Sequence, residues 1–180
     1  FSEAERVDVA AMPELERYVL ALLAKLDATL KTAAETFDFN TYVRALTDFC
    51  NEDLSAFYFD IRKDTLYCDA PSSLKRRSAL FVIRKLFDCL VLWFAPMMPF
   101  TTEEAWLSRD PKAESVHLEQ FPTVPAEWSN EAVAEKWKGV RAVRRAVTGA
   151  LEIERKEKRI GSSLEAAPVV HVGDAELLKA

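Results

Sequence analysis

Glycine is scarce, four residues in 180, and with it go the glycine-rich phosphate loops and most tight hairpins. Histidine is scarcer, with only His117 and His171, far apart in sequence. The three cysteines, Cys50, Cys68 and Cys89, contain no Cys-x-x-Cys pair. That set argues against a zinc site and against a disulfide framework, and buried free thiols in a reducing cytoplasm are the expectation. No Gly-x-Ser-x-Gly, P-loop or His-Glu-x-x-His is present. Glu103 and Glu104 are neighbours, so a helix of 3.6 residues per turn points them about 100° apart, unlike an acid/base pair facing across a cleft. No catalytic residue and no metal ligand is expected. No basic segment followed by an apolar one marks a signal peptide. The longest uncharged apolar run, Cys89 to Phe100, holds Pro96 and Pro99 and is too short to span a bilayer. The chain begins with Phe1 rather than Met, so a processed or excised chain is expected.

What is present is ordinary in bulk and uneven in place. Hydrophobic residues make up 49% and charged residues 29%, as in a water-soluble domain. The net charge is −5. Residues 136–159 hold nine Lys/Arg against three Glu, a local +6, which leaves −11 for the rest. Such a stripe is either a solvated helix face or a phosphate-facing surface on an acidic body.

Helical periodicity dominates. After an extended lead-in over 1–11, Pro13 suits a first helical turn. Leu15, Val19, Leu22, Leu23, Leu26, Leu30, Ala33 and Phe37 then recur at steps of three and four, which predicts one helix ending near Phe37. Asp38 is placed to cap a second helix. Its stripe runs Phe39, Tyr42, Val43, Leu46, Phe49, Cys50, Leu54, Phe57, Tyr58, Ile61, and Asp53 falls on it. A carboxylate there needs a donor or a place at the edge. Pro71, Ser72 and Ser73 open a third helix, in which 79–95 carries only Arg84, Lys85 and Asp88 as charges. An almost wholly apolar helix belongs at the centre of a bundle, and Trp93 is expected there, buried.

Pro96 and Pro99 stop that helix. Thr101 and Glu104 read as a capping box for a fourth, carrying Trp106 and Leu107. Residues 110–128 read as irregular, with 116–121 extended. Ser129 or Asn130 starts a long helix to about Arg159, its inner face Val133, Trp137, Val140, Val143, Val147 and Leu151. Gly161 is expected to take the left-handed cap. Pro168–Val172 reads as the start of a strand. The predicted fold is all-α: an antiparallel helical bundle over 1–128 with its connector, then 129–180 with a long basic helix and a truncated α/β edge.

Three segments carry a family resemblance. Residues 155–166 read Arg-Lys-Glu-Lys-Arg-Ile-Gly-Ser-Ser-Leu-Glu-Ala. Residues 51–64 read Asn-Glu-Asp-Leu-Ser-Ala-Phe-Tyr-Phe-Asp-Ile-Arg-Lys-Asp, and Tyr67-Cys68 follow. Both resemble the anticodon-binding bundle of isoleucyl-tRNA synthetases, although Thr65 stands where that family usually has Arg. Residues 94–106, with Ala95-Pro96, Pro99-Phe100 and Thr101-Thr102-Glu103-Glu104-Ala105-Trp106, look like a turn shared with the valyl, leucyl and methionyl enzymes. The resemblance implies a fragment that holds the anticodon arm of tRNA. It also implies a cytoplasmic parent that esterifies isoleucine to tRNA with ATP and Mg²⁺, in a catalytic domain of the same chain. It places the nucleotide-binding motifs and a first bundle helix upstream of Phe1, and a zinc module downstream.

Phosphates of a single-stranded loop are gripped by Arg and Lys. Arg141, Arg145, Arg155, Lys156 and Arg159 are therefore the expected contacts, with Arg62 and Lys63 second and Arg144 nearer the apolar seam. The alternatives are a valyl or leucyl bundle, or a helical scaffold for protein partners. A scaffold needs an exposed apolar patch, whereas an RNA binder needs a basic strip.

Overall fold

The structure, a computed structural model, describes residues 7–179, the side chains of residues 176 and 179 excepted. Residues 1–6 of the expected lead-in lie outside that range. The order is α1 (Glu14–Glu35), α2 (Phe39–Asp48), a π-helical segment (Phe49–Phe59), α3 (Asp60–Cys68), α4 (Leu74–Phe94), α5 (Pro99–Arg109), α6 (Glu131–Lys156) and α7 (Ala175–Lys179), with short 3₁₀ turns between. Among the described residues no strand forms, so the chain is all-α. It divides into two compact units, meeting between Ser129 and Asn130.

In the first unit α1 packs on α2 and α4, and α4 on α3 and α5. The α1 stripe is buried from Leu15 to Ala33, with Leu22 half-buried. The buried arc is wider than the stripe, because Glu16 and Asp27 also lie inside it. The helix stops at Glu35, and Phe37 is the left-handed residue after it (φ 57°), with 77% of its surface exposed. The Phe37 N–H donates to the Ala34 carbonyl at 3.2 Å and the Asp38 N–H to Ala33 at 2.8 Å. This is the Schellman closure, normally built on glycine. Phe37 therefore ends the helix instead of extending its core face, and a side chain there costs roughly 1–2 kcal/mol of backbone strain.

Asp38 caps α2 as expected, its Oδ1 accepting from the Thr41 N–H at 3.0 Å. The next eleven residues close i→i+5 turns. An α-helical step of four from Phe49 would turn Asp53 into the core. The wider turn buries Leu54 instead and leaves Asp53 half-buried at the edge. Phe39 and Val43, expected on the inner stripe, are 62% and 45% exposed, so the inner face of α2 is Tyr42 and Leu46 alone.

α4 is the central element. Ser73 caps it, and Val82, Leu86 and Trp93 are each no more than 1% exposed. The Tyr42 hydroxyl donates to the Trp93 carbonyl at 2.9 Å, satisfying one of the last carbonyls of α4 that lack a helical partner. Pro99 occupies the first turn of α5, a position where its missing N–H has no consequence. Thr101 is consequently already inside the helix, and the Thr101–Glu104 capping box does not form. Glu103 instead reaches the connector, its Oε2 accepting from the Val116 N–H and the Ser115 hydroxyl, both at 2.9 Å. The expected extended run at 116–121 opens with a 3₁₀ turn, Val116–Leu118, whose Val116 is buried. Of the thiols only Cys89 is buried, while Cys50 is half-buried and Cys68 exposed.

In the second unit the Asn130 side chain accepts from the Val133 N–H at 3.1 Å and starts α6. The expected inner face is weakly covered. Val133 is buried, and Trp137, Val140, Val143, Val147 and Leu151 are half-buried. α7 packs on α6, and Leu177 Cδ1 lies 2.5 Å from where a Cβ on Gly139 would sit, so a larger residue there would require the Leu177 side chain to move. Residues 166–174 form no ladder. The expected strand at 168–172 has no second strand among the described residues to pair with, and a lone strand is unstable in water.

Candidate nucleic-acid interface

The predicted contacts divide by environment. Arg145 and Lys156 lie exposed on α6, and their side chains take no ion-pair or hydrogen-bond partner among the described residues. Arg155 is exposed, but its Nη1 donates to Glu152 Oε1 at 2.6 Å, one turn back. Arg159 lies past the end of α6, where Glu154 and Glu157 both pair with it. The Glu154 hydrogen bond holds the guanidinium above its ordinary pKa. Arg141 is half-buried and engaged within the fold, as is Arg144. Lys138, on the same face, pairs with Glu135. The stripe is thus partly neutralised by its own glutamates, and two of the five contacts expected along it stand open.

The second group splits cleanly. Lys63 is exposed on α3. Arg62 is only 6% exposed, so its expected phosphate contact is withdrawn. Its Nε donates to Glu16 Oε1 at 2.6 Å and its Nη2 to Glu16 Oε2 at 2.7 Å, a two-pronged pair. The Tyr58 hydroxyl joins the same carboxylate at 3.2 Å. Burial alone would lower the Arg62 pKa, but the hydrogen bond and charge of Glu16 outweigh it and hold the pKa above its ordinary value. Burial, with Glu16 second, pushes the Tyr58 hydroxyl pKa up. The trio is a structural lock between α1 and the second helical run. Glu16 stood beside the apolar stripe in sequence, and its partner lies 46 residues away.

The end of α6 also differs from expectation. The left-handed residue is Lys158 (φ 58°), and no glycine has positive φ among the described residues. The Lys158 N–H donates to the Arg155 carbonyl at 3.0 Å and the Arg159 N–H to Glu154 at 2.9 Å, again the Schellman pattern. The Gly161 N–H goes to Glu165 Oε2 at 3.0 Å. An open cleft of about 430 Å³ forms there, lined by Glu152, Arg155, Lys156, Lys158, Ile160 and Gly161. Sequence reasoning listed Arg155 and Lys156 but passed over Lys158, because a lysine carries no signal for a left-handed cap.

Among the described residues no group of His, Cys, Asp and Glu is arranged to hold a metal ion, and no helix is long and apolar enough to cross a membrane. The first unit carries an apolar cleft of about 470 Å³ bordered by the π-helical segment, α4 and α5.

Residues 16–171 match the family described as the anticodon-binding domain of tRNA ligase. The isoleucine–tRNA ligase of Agrobacterium fabrum is 66% identical over 176 residues, and that of Mesorhizobium japonicum 62% over 175. The isoleucine–tRNA ligase of Bartonella quintana is 57% identical over 178. These matches cover 97–99% of this chain, which spans 18% of the length of each relative.

Proposed function

Since the chain belongs to the anticodon-binding domain family of tRNA ligases, we propose that it is the part of an isoleucine–tRNA ligase that holds the anticodon arm of tRNA. The observation that carries this reading is the exposed cationic face of α6 on a chain that aligns to isoleucine–tRNA ligases over nearly its whole length. In this reading 1–128 is the anticodon bundle with its connector, and 129–180 is the basic helix leading into a junction region. The parent is a cytoplasmic enzyme that charges tRNA with isoleucine using ATP and Mg²⁺. The second partner of the fragment is the catalytic domain of that same chain.

The division of labour follows from charge and solvation. Arg145 and Lys156 are the first phosphate contacts, because no carboxylate must be displaced from them. Arg155 and Arg159 can follow by exchanging a glutamate for a phosphate, and Arg141 and Lys63 are secondary. Phosphate contacts fix position and register; base edges and stacking carry the sequence information. The scaffold alternative rests on the apolar cleft of the first unit, which a protein segment could fill without any RNA.

The test is binding of a labelled isoleucine tRNA anticodon stem-loop by the 180-residue chain, followed against salt. Two to five neutralised phosphates correspond to a log–log slope of about −1.4 to −4.5. The double variant Arg145→Gln/Lys156→Gln should flatten that slope by about 1.4–1.8. Binding that ignores salt, or no binding of the wild-type chain at low salt, rejects the anticodon-arm reading and leaves the scaffold.

A further inference from the structure

Lys158 is the residue in the second unit whose conformation and chemistry disagree. A left-handed cap favours glycine. Yet Lys158 holds that conformation, while Gly161, three residues on, does not. Strain of this kind persists where the surroundings hold it and is often found at binding sites. Two backbone hydrogen bonds hold it here, from Lys158 to Arg155 and from Arg159 to Glu154. Their consequence is that Lys158 lines the same cleft as Arg155 and Lys156.

We propose that this cleft is a binding site for an RNA backbone phosphate, with Lys158 and Lys156 as its ligands. The inference rests on the anticodon-arm reading and assigns it a site. Arg155 is tied to Glu152, and the lining residues hold three cations to one carboxylate, with the Glu165 carboxylate on the Gly161 N–H as a second, so the cations remain in excess. Neither lysine's ammonium takes a partner among the described residues. The helix end contributes no anion-binding donors: its carbonyls carry partial negative charge, and the Gly161 N–H is taken by Glu165. The attraction is therefore that of ammonium point charges, which position a phosphate without reading sequence. A polyanion fits better than a compact free ion. The open cations continue back along α6 to Arg145, eleven residues from Lys156 and about 16 Å at 1.5 Å per residue, a span that successive phosphates of one strand can follow and a single phosphate ion cannot.

The variant that isolates the idea is Lys158→Gly, because it removes the charge while relieving the backbone. Its thermal midpoint should equal or exceed wild type, so weaker binding cannot be ascribed to unfolding. The salt slope for the anticodon stem-loop should flatten by about 0.7–0.9. At ~0.1 M salt the affinity should fall about sixfold, taking ~0.8 for one phosphate and equal affinities at 1 M. Lys112→Gln removes one charge from an exposed lysine of the first unit and should leave the slope unchanged. Inorganic phosphate, titrated separately, should not saturate the site at millimolar concentration.

An unchanged slope in Lys158→Gly, beside a wild-type slope that Arg145→Gln/Lys156→Gln does flatten, overturns this site and spares the anticodon-arm reading. Equal flattening by Lys112→Gln reduces the effect to net charge and also overturns it. Tight binding of inorganic phosphate makes it a small-anion site instead. A wild-type chain that shows no salt-dependent RNA binding removes both readings together.

Discussion

Arg62 and Arg155 carry the same side chain in opposite settings. In the first unit Arg62 is buried against Glu16 at 2.6 and 2.7 Å. In the second, Arg155 meets Glu152 at 2.6 Å with half of each side chain in water. Geometry alone would rank the two pairs as equals. Solvent separates them: removing one partner of a buried pair strands a charge, whereas an exposed pair is worth ~0–1 kcal/mol and releases its cation readily. The first unit uses charge to fix its helices, and the second leaves its charge in water.

The largest expected effect attacks the buried side. Glu16→Gln leaves the Arg62 guanidinium buried without its counter-charge and should destabilise the first unit by ~3–5 kcal/mol. Whole domains hold only ~5–15 kcal/mol, so the denaturant midpoint should drop severely. Arg159→Gln, on the exposed side, should leave the denaturant midpoint close to that of wild type, because solvent screens the pair it breaks. Replacing both buried partners with apolar residues, Glu16→Leu with Arg62→Met, should recover much of the loss, since no charge is then stranded. Equal midpoint shifts for Glu16→Gln and Arg159→Gln would dissolve the contrast.

A smaller effect appears at alkaline pH. Burial pushes the Tyr42 hydroxyl up to about 12 from an ordinary 10.0. The folded value is the higher one, so the stabilisation is complete below pH 10 and is lost as pH rises toward 12, where the unfolded chain releases the proton and the folded chain does not. The loss is about 2–3 kcal/mol, at ~1.4 kcal/mol for each pH unit between the two values. Unfolding curves between pH 9 and 12 should show an alkaline slope in wild type that Tyr42→Phe reduces by the Tyr42 share, the remainder belonging to the Tyr58 hydroxyl and the Cys89 thiol, which burial also pushes up. A Tyr42→Phe chain with the full alkaline slope would assign it to other groups.

Local chemistry was legible in the sequence, and distant partners were not. Asp38 caps its helix as read, and Ser73 and Asn130 are the caps among the starts read at 71–73 and at Ser129 or Asn130, because a cap depends on three or four neighbouring residues. Trp93 is buried as read, because a helix with so few charges has nowhere else to go. The π-helical run was signalled only by Asp53 standing where an α-helical core position should be; the answer, Leu54 turned inward, depends on what α1 and α4 offer opposite it. Arg62 looked like a surface cation until α1 brought Glu16 to it. Pro99 displaced the cap read at Thr101, and Lys158 took the conformation read for Gly161. In both cases two local signals competed a few residues apart, and propensity alone does not rank them. Of the α6 stripe, the positions were legible, and i,i+3 spacing displays the Arg155–Glu152 pair, whereas Arg159 pairs with Glu154 five residues back only because the chain turns after α6.

The smallest expected effect on stability sharpens the comparison most. Glu152→Gln removes the carboxylate from Arg155 and from the cleft that holds Lys156 and Lys158. The lost pair is an exposed i,i+3 contact worth a few tenths of a kcal/mol. A glutamate in the last turns of a helix also opposes the helix dipole, so its removal returns part of that amount. The thermal midpoint should therefore stay within about one degree or two of wild type, since ~1 kcal/mol moves a domain of this size by only ~2–4 °C. RNA binding should respond in the other direction. Freed from Glu152, Arg155 can take a phosphate, and the salt slope for the anticodon stem-loop should steepen by about 0.7–0.9. A midpoint that falls sharply would mean the exposed pair is structural after all. An unchanged slope would mean that Glu152 does not limit Arg155, and that the exposed pair does not control how many phosphates the second unit neutralises.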